Sequence, residues 1–446
     1  MTSRRDQLQS YQFRNQRVIS AFVMRETDPA QSPLRRGIGA LFGGLMIAVL
    51  VAAGFGIHGL LTGTGDNRWQ SEGSVVVERE TGASFVYLDD KLIPTLNFTS
   101  AKLASGRPDP PVFRIAAKDL TGTPRGVTIG IAGAPASLPD ASRQVRLPWT
   151  ICTVPGDNAT SVLLVASSGP DGTPLADRGL LVTDGDLNHL VVQGRKHRIR
   201  NARTTIPALF GATQPTRVGA AWLTTLPSGT DIAPIAVDDR GDPSGAVDNS
   251  DNGDVLFTET GSGKQFYLVL DDGLAPITPL QQAVLQAAFP ADPQPVSVND
   301  VAQAPESKAV PADNAPPAVP QLAPLPPAQA TCATTTTPTD PPTLTVDGSP
   351  STFANAIPTT DPSAAGPLAD AIQVPAGTYS LLRTGDTFQL IADQALRHPL
   401  PTADAVALLG YRSTDATEIP PPLLATVPTG VTLDPAAARS PAATPN

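Results

Sequence analysis

Apolar residues are distributed unevenly along this chain, and the pattern changes period several times. From Ile38 to Leu61, 24 consecutive residues carry no charged side chain, with His58 the only ionisable group. At about 1.5 Å rise per residue, such a run predicts a helix that covers the roughly 30 Å of bilayer hydrocarbon with some tilt. Ahead of it, Leu8, Tyr11, Val18, Ile19, Phe22 and Val23 recur at approximately helical spacing within Arg4–Arg25, with arginines on the opposite side. Pro29 and Pro33 are expected to end that helix. Behind the apolar run the period shortens to that of strands.

Four stretches then share one plan: 75–96, 181–199, 255–277 and 379–400. Each reads as an apolar strand, a glycine turn (Gly82, Gly185, Gly261, Gly385), a second apolar strand, a polar corner and a small apolar anchor (Pro94, Ile199, Pro276, Pro399). Three of them run on into a helix-like piece, at 99–103, 278–288 and 402–409. These are degenerate copies of a ββα-like unit, spaced too irregularly for a uniform solenoid. Short β-branched segments at 112–117, 127–131, 145–154, 161–167 and 217–226 read as strands of a central β-rich core. The fold class expected is therefore α+β: one transmembrane helix, then an elongated exported part with four degenerate ββα-like repeats around that core.

The division expected is as follows. Residues 1–36 form a cytoplasmic amphipathic helix and basic segment, and 37–62 the transmembrane helix. Repeat 1 covers 70–106, repeat 2 180–211, repeat 3 254–290 and repeat 4 376–411. The core is split into 112–179 and 212–253. Residues 291–375 read as a Pro-rich linker carrying one cysteine, and 412–446 as a Pro-rich tail, both too poor in apolar bulk for a core of their own. An extended strap packed on the body is the other reading of such segments, and Cys332 favours it for the first.

Charge sets the orientation. Residues 1–36 hold seven arginines against Asp6, Glu26 and Asp28, a balance of +4; with the whole chain at -10, the remainder is -14. Lys/Arg excess marks the cytoplasmic side, so the short N-terminus is expected inside and about 385 residues outside. A cleaved signal peptide would have a shorter apolar core and a small-residue cleavage site close behind it. Trp69 is placed as an interfacial anchor. The acidic exported part excludes nucleic acid as its ligand, since phosphate contacts need clustered Lys/Arg. Aromatics at 5% and 48 prolines indicate many short elements in place of a helical bundle. Both cysteines, Cys152 and Cys332, fall on the exported side, where an even pair is most simply one disulfide; two unrelated thiols are the alternative.

No catalytic constellation is legible. His58, His189, His197 and His398 lack zinc-site spacing, and no GxSxG elbow occurs. Asp89/Asp90, Asp238/Asp239 and Asp271/Asp272 read as solvated turn carboxylates. The stretch TETGSGKQ (258–265) echoes a phosphate loop, but Thr258 stands where that motif needs glycine and Gln265 where it needs Ser/Thr. It reads as the hairpin turn of repeat 3.

RDQLQSYQF at 5–13, PLRR at 33–36 before a single apolar span, four scattered repeats and a lone long-range cysteine pair together resemble the EccB family, over essentially the whole chain. EccB proteins are membrane-anchored core components of type VII (ESX) secretion systems of actinobacteria. The resemblance implies a cytoplasmic helix, one membrane helix and a periplasmic part closed by a disulfide that Cys152 and Cys332 match. It also implies EccC-, EccD- and EccE-like partners in an inner-membrane complex, with self-association through the periplasmic parts. Some family members are described as ATPases, so ATP enters by family description only. No other cofactor, metal or catalytic residue is expected. A non-enzymatic structural subunit is the reading that follows; an ATP-hydrolysing component or an envelope (peptidoglycan) binding module are the alternatives.

Overall fold

A computed structural model describes residues 3–24, 33–61, 67–261, 263–307, 309, 315–359 and 368–442. The chain divides into two units, Met1–Ser71 and Glu72–Asn446.

In the first unit, a helix spans Arg4–Met24 and a second spans Pro33–Leu61. Pro33 does not end the first helix; it opens the second, where its missing N–H costs nothing and its fixed φ suits a first turn. Pro29 and residue 62, the expected end of the span, lie outside the described residues. Ile38–Ile57 is long and apolar enough to cross a bilayer. Leu8, Tyr11, Val18 and Phe22 are exposed. Trp69 is buried, so its indole is not presented as an interfacial anchor.

Among the described residues, the second unit contains five sheets. Four are built alike, each with its strands ordered third–second–first–fourth. In the first repeat, Val75–Glu78 and Ser84–Leu88 form the hairpin, Lys91–Thr95 adds antiparallel, and Val112–Ile115 returns parallel to the first strand. The other three sheets repeat this with parallel returns at Thr216–Arg217, Gln294–Pro295 and Thr417–Glu418. A parallel return needs a crossover. Each repeat supplies a helix for it: Phe98–Ser105, Ala202–Phe210, Pro279–Ala288 and Ala403–Leu408. Side-chain caps start three of them, from Asn97, Thr278 and Thr402. The helix of the second repeat has no such cap and carries Pro207 inside it, so its sequence gives no helix signal. In the third repeat the hairpin turn takes its positive φ at Gly263, not at Gly261.

A further device recurs after each fourth strand. A short helix or 3-10 turn is followed by Pro-x-Gly, or Pro-x-Ser in the third repeat, which hooks onto the edge of the third strand. Leu92 N donates to Pro124 O (2.8 Å) and Gly126 N to Leu92 O (3.3 Å). The same reciprocal pair links Lys196 with Pro227 and Gly229, Leu274 with Pro305 and Ser307, and Arg397 with Pro428 and Gly430. These straps cover an edge that would otherwise offer unpaired backbone to another chain.

Each repeat therefore runs well past its hairpin and helix, and this redraws the expected core. Val112–Ile115 belongs to the first repeat, and Thr216–Arg217 with the helix Ala220–Thr225 to the second. Residues 127–131 form no strand; Ile129 makes isolated bridges to Thr95 and to Pro441. The second core segment expected at 212–253 supplies no central strand. The stretch read as a linker, 291–375, supplies four: Ala330–Thr335, Thr343–Gly348, Ile357–Pro358 and Ala371–Gln373. Threonine is β-branched and suits a pleated surface, so the Thr-rich run around Cys332 can be strand despite its weak hydrophobicity. These four join Trp149–Val154, Thr160–Leu164 and Thr173–Pro174 in a seven-stranded sheet. The tail also packs, through Thr417–Glu418 and the helices Pro421–Ala425 and Pro435–Ala438.

Packing orders the repeats in pairs. Leu103 and Ala104 of the first repeat share a core with Leu390, Leu400, Val406 and Leu408 of the fourth. Ile199 and Ile206 of the second share one with Leu280 and Val284 of the third. The sheets of repeats 2 and 4 are buried on both faces: Leu181 and Leu190 point to the helix layer, while Leu180, Val182 and Val191, with Leu382 and Ile391, join Trp149, Leu163 and Trp222 in the central core. Double-sided burial explains why these strands read as continuous apolar runs, without alternation.

The straps give a direct test. A Cβ at Gly229 or Gly430 would overlap the buried ring of His197 or His398. Gly430→Ala is expected to cost about 2 kcal/mol through overpacking, read as a lowered melting temperature. Gly261→Ala, with nothing near its Cβ, should be within about 0.5 kcal/mol of the parent, the usual range for an unstrained surface change.

Candidate functional site: a stapled repeat scaffold

Cys152 and Cys332 are direct partners on the two neighbouring strands at the middle of the seven-stranded sheet. Their sulfurs are bonded across 180 positions, with Cα atoms 4.0 Å apart. Both residues are buried, beside Val162, Leu164 and Ala330. One strand comes from the segment after the first repeat and the other from the segment before the fourth, so the bond joins the two halves of the sheet around the intervening second and third repeats. Polar groups dock the repeats onto this sheet. Gly219 N donates to Thr153 Oγ1 (2.9 Å) and Trp222 N to Ser161 Oγ (3.2 Å). Ala369 N donates to Thr426 O (3.0 Å), and Asp370 Oδ2 accepts from Ser161 N (2.7 Å).

The first and fourth repeats are tied by long-range polar contacts. Lys102 Nζ donates to Leu409 O (2.7 Å) and lies 3.5 Å from Asp109; burial holds its pKa below the ordinary lysine value, opposed by Asp109. Arg439 Nε donates to Ala104 O (2.9 Å). Tyr379 and Tyr411 stack with centroids 4.1 Å apart, donating to Ala141 O (3.1 Å) and Pro139 O (2.8 Å). Burial, then Asp415, pushes the Tyr379 phenol up to about 12. Both hydroxyls therefore remain donors across the physiological range and clamp the connector 139–141 to the fourth repeat.

His197 and His398 occupy equivalent third-strand positions. Each presents Nδ1 to a carbonyl 33 residues on: Thr230 O at 2.9 Å and Val431 O at 3.0 Å. A carbonyl only accepts, so Nδ1 carries the proton in both rings. Sequence reading missed these partners. The signal was present in the recurrence of Leu or Val four residues before a proline: Leu120 before Pro124, Leu223 before Pro227, Val301 before Pro305 and Leu424 before Pro428.

The stretch 258–265 is a hairpin. Thr258 pairs with Gln265, Glu259 with Lys264 and Thr260 with Gly263. The Lys264 ammonium lies 4.0 Å from the centroid of Phe257. A phosphate loop must open a helix, whereas this turn opens a strand. The pairs Asp89/Asp90, Asp238/Asp239 and Asp271/Asp272 are all exposed, with Asp89, Asp90 and Asp239 at positive φ. The remaining histidines do not converge: His189 is on a middle strand of the second repeat, and the side chain of His58 lies outside the described residues. Among the described residues, no group of three or more His, Cys, Asp or Glu could hold a metal ion.

These features define a class: a scaffold of strapped repeats stapled to a central sheet, with a hydrophobic helix near the N-terminus. The family model described as "Type VII secretion system ESX-1, transport TM domain B" matches residues 1–444, and the chain belongs to that family. It is 29% identical over 319 residues to the ESX-1 secretion system ATPase EccB1 of Mycolicibacterium smegmatis, covering 67% of this chain and 65% of the relative. It is 28% identical over 299 residues to the ESX-2 secretion system ATPase EccB2 of Mycobacterium tuberculosis, covering 64% and 59%. The chain thus spans somewhat less than two thirds of the length of these relatives. Its fold is that of a chain in an intact ESX-5 inner membrane complex, with TM-score 0.70, 22% identity, and 100% and 96% of the two chains covered. It is likewise similar to the EccB3 dimer from the ESX-3 core complex, with TM-score 0.66, 24% identity, and coverage of 82% and 99%.

Two outcomes follow. Replacing Cys152 and Cys332 together by Ala should cost about 3–5 kcal/mol, since a 180-residue loop is released in the unfolded chain; paired melts with and without reductant measure it. Burial lowers the pKa of His398, against the hydrogen bond to Val431, and lowers that of His189, against Asp184. Their neutral forms therefore favour the fold, and this stability is full above the ordinary histidine pKa of about 6.5 and is lost as pH falls through the depressed folded values, at about 1.4 kcal/mol per pH unit for each proton. Melting temperature should therefore fall as pH drops below about 6.5, the ordinary histidine value, and His398→Asn should flatten that fall.

Proposed function

We propose that this chain is a structural, membrane-anchored subunit of a type VII (ESX) secretion complex, with its repeat-bearing part associating with further copies above the inner-membrane pore. The observation that carries this is the combination, along the whole family match, of one membrane-length helix and a disulfide-stapled repeat body. The arginine excess before the helix supports an N-terminus in the cytoplasm and the acidic body outside. An oxidising compartment on that side suits the disulfide. EccC-, EccD- and EccE-like subunits are its partners in this reading, with other copies of the chain itself. In this reading the basic segment, the span and the four repeats keep their order, each repeat extended through its strap, while the central core draws its later strands from Ala330–Thr335 to Ala371–Gln373 in place of 212–253. The relatives carry ATPase in their names, but the hairpin at 258–265 supplies no phosphate cradle, so the role proposed is non-enzymatic.

Affinity purification through a tag on this chain, from native membranes in mild detergent, should recover those subunits and more than one copy of the chain. Recovery of a lone monomer would sink the proposal. Lys264→Ala should leave any ATP turnover of the purified complex unchanged, and its loss would restore the enzymatic reading.

A further inference from the structure

Repeats 2 and 3 carry opposite charge. Residues 187–230 contain six Lys or Arg and no carboxylate, whereas 236–314 contain thirteen carboxylates against Arg240, Lys264 and Lys308. Neither excess is neutralised by ion pairing. Among the described residues, no carboxylate of 236–314 forms an ion pair, and in the basic run only Arg200 does, with Asp231 (2.7 Å). Lys196 is committed to its own repeat, Nζ donating to Leu223 O (2.8 Å). That leaves Arg195 and Arg198 on the third strand and the exposed Arg203 at the start of the helix after it.

The acidic repeat also has an open cleft of about 550 Å³. Leu256 and Leu274, both buried, and the partly buried Val247 and Val296 give it an apolar lining, to which Asp248 and Asp300 add exposed carboxylates. No Lys or Arg lines it. Val298, on the same short helix as Asp300, is 62% exposed. The repeat 3 sheet has two faces: Leu268, Leu270 and Ile277 pack with Leu285 of the helix Pro279–Ala288, while Leu256, Val269 and Leu274 face the other way, toward the cleft. Repeat 2 meets repeat 3 through that same helix, by Leu280 and Val284. Helix and sheet thus stand between the cleft and the repeat 2 of its own chain.

An apolar lining with carboxylates and no cation suits arginine, whose aliphatic stem packs while its guanidinium pairs. We propose that this cleft receives the stretch Arg195–Arg203 of a second copy of the chain. The inference rests on the self-association proposed above and names the contact through which it occurs. Complementary charge favours repeat 2 on repeat 3 and disfavours either repeat on its own kind. Because the two surfaces differ, two copies can exchange the contact about a twofold axis, or each can hand it to the next around a ring.

Co-capture tests it. Full-length copies with two different tags are expressed together, one tag is captured from membranes in mild detergent, and the other is quantified. Recovery of the second copy should fall at least tenfold as salt rises from about 0.1 to 1 M, which shrinks the screening length from about 10 to 3 Å. Reversing the cleft (Asp248→Lys with Asp300→Lys) should cut recovery at least tenfold. Reversing the arginines (Arg195→Glu, Arg198→Glu and Arg203→Glu) should do the same. A chain with all five changes should associate again, a rescue that misfolding would not permit. Should the reversals fail to fold, the conservative Arg203→Lys decides: a carbodiimide should then join position 203 to Asp248 or Asp300 of an isotopically distinct copy. Copies that stay together through every reversal, or that give no such link, would overturn this contact and leave the subunit reading intact. Loss of a different subunit on reversal, with the copies still together, would assign the cleft to that subunit and overturn it equally. An unaltered chain recovered without its second copy would remove the self-association itself.

Discussion

The pairing of Trp149–Val154 with Ala330–Thr335 is the contact on which the second unit depends. These strands are far apart in sequence, and closing a loop of that length costs chain entropy before any contact rewards it. The disulfide between Cys152 and Cys332 removes much of that cost by restricting the unfolded chain. Once the two strands lie side by side, the sheet extends outward on both sides with short segments drawn from both halves, and its two edges end in strands of only two residues. Such edges offer little template for a foreign strand.

Everything else is attached to that sheet by repetition. Repeats 2 and 4 use one face of their own sheet against the centre and the other against a partner repeat, so each bridges two cores. Repeats 1 and 3 close the ends of the set. The first and last parts of the unit are thereby brought together, with Ile129 bridging Pro441 and Gly130 N donating to Ser440 O. Neutral histidines and protonated tyrosines at the junctions make this arrangement a creature of near-neutral pH, since either a charged imidazole or an ionised phenol would have to be buried. The chemistry found in these places is that of position-holding: carbonyls, amides and ring nitrogens used once each.

The legible part of this architecture was the part written in local patterns. The hairpins announced themselves through paired apolar runs and turn glycines such as Gly82 and Gly385, and the helices through caps such as Thr278, whose side chain accepts from Gln281 N while Gln281 reciprocates. The straps escaped notice because Pro-x-Gly is ordinary loop composition; only its bonding to Leu92, Lys196, Leu274 and Arg397 makes it an element. The same holds for Ala330–Thr335, where alanine and threonine carry too weak an apolar signal to reveal a strand that is fully covered. Val112–Ile115 shows the converse. Its strand character was plain, but nothing local says which sheet it joins.

The amino-acid order alone therefore determined a bilayer-length helix with arginines before it, four copies of a hairpin unit, and two cysteines able to pair. These rest on periodicity, charge and composition, which act within a few residues. Only the tertiary structure decided which segments share a sheet, that repeats pair first with fourth and second with third, and that proline-rich connectors become load-sharing strands. Those outcomes depend on burial and hydrogen bonding between residues up to hundreds of positions apart, where no local pattern reaches.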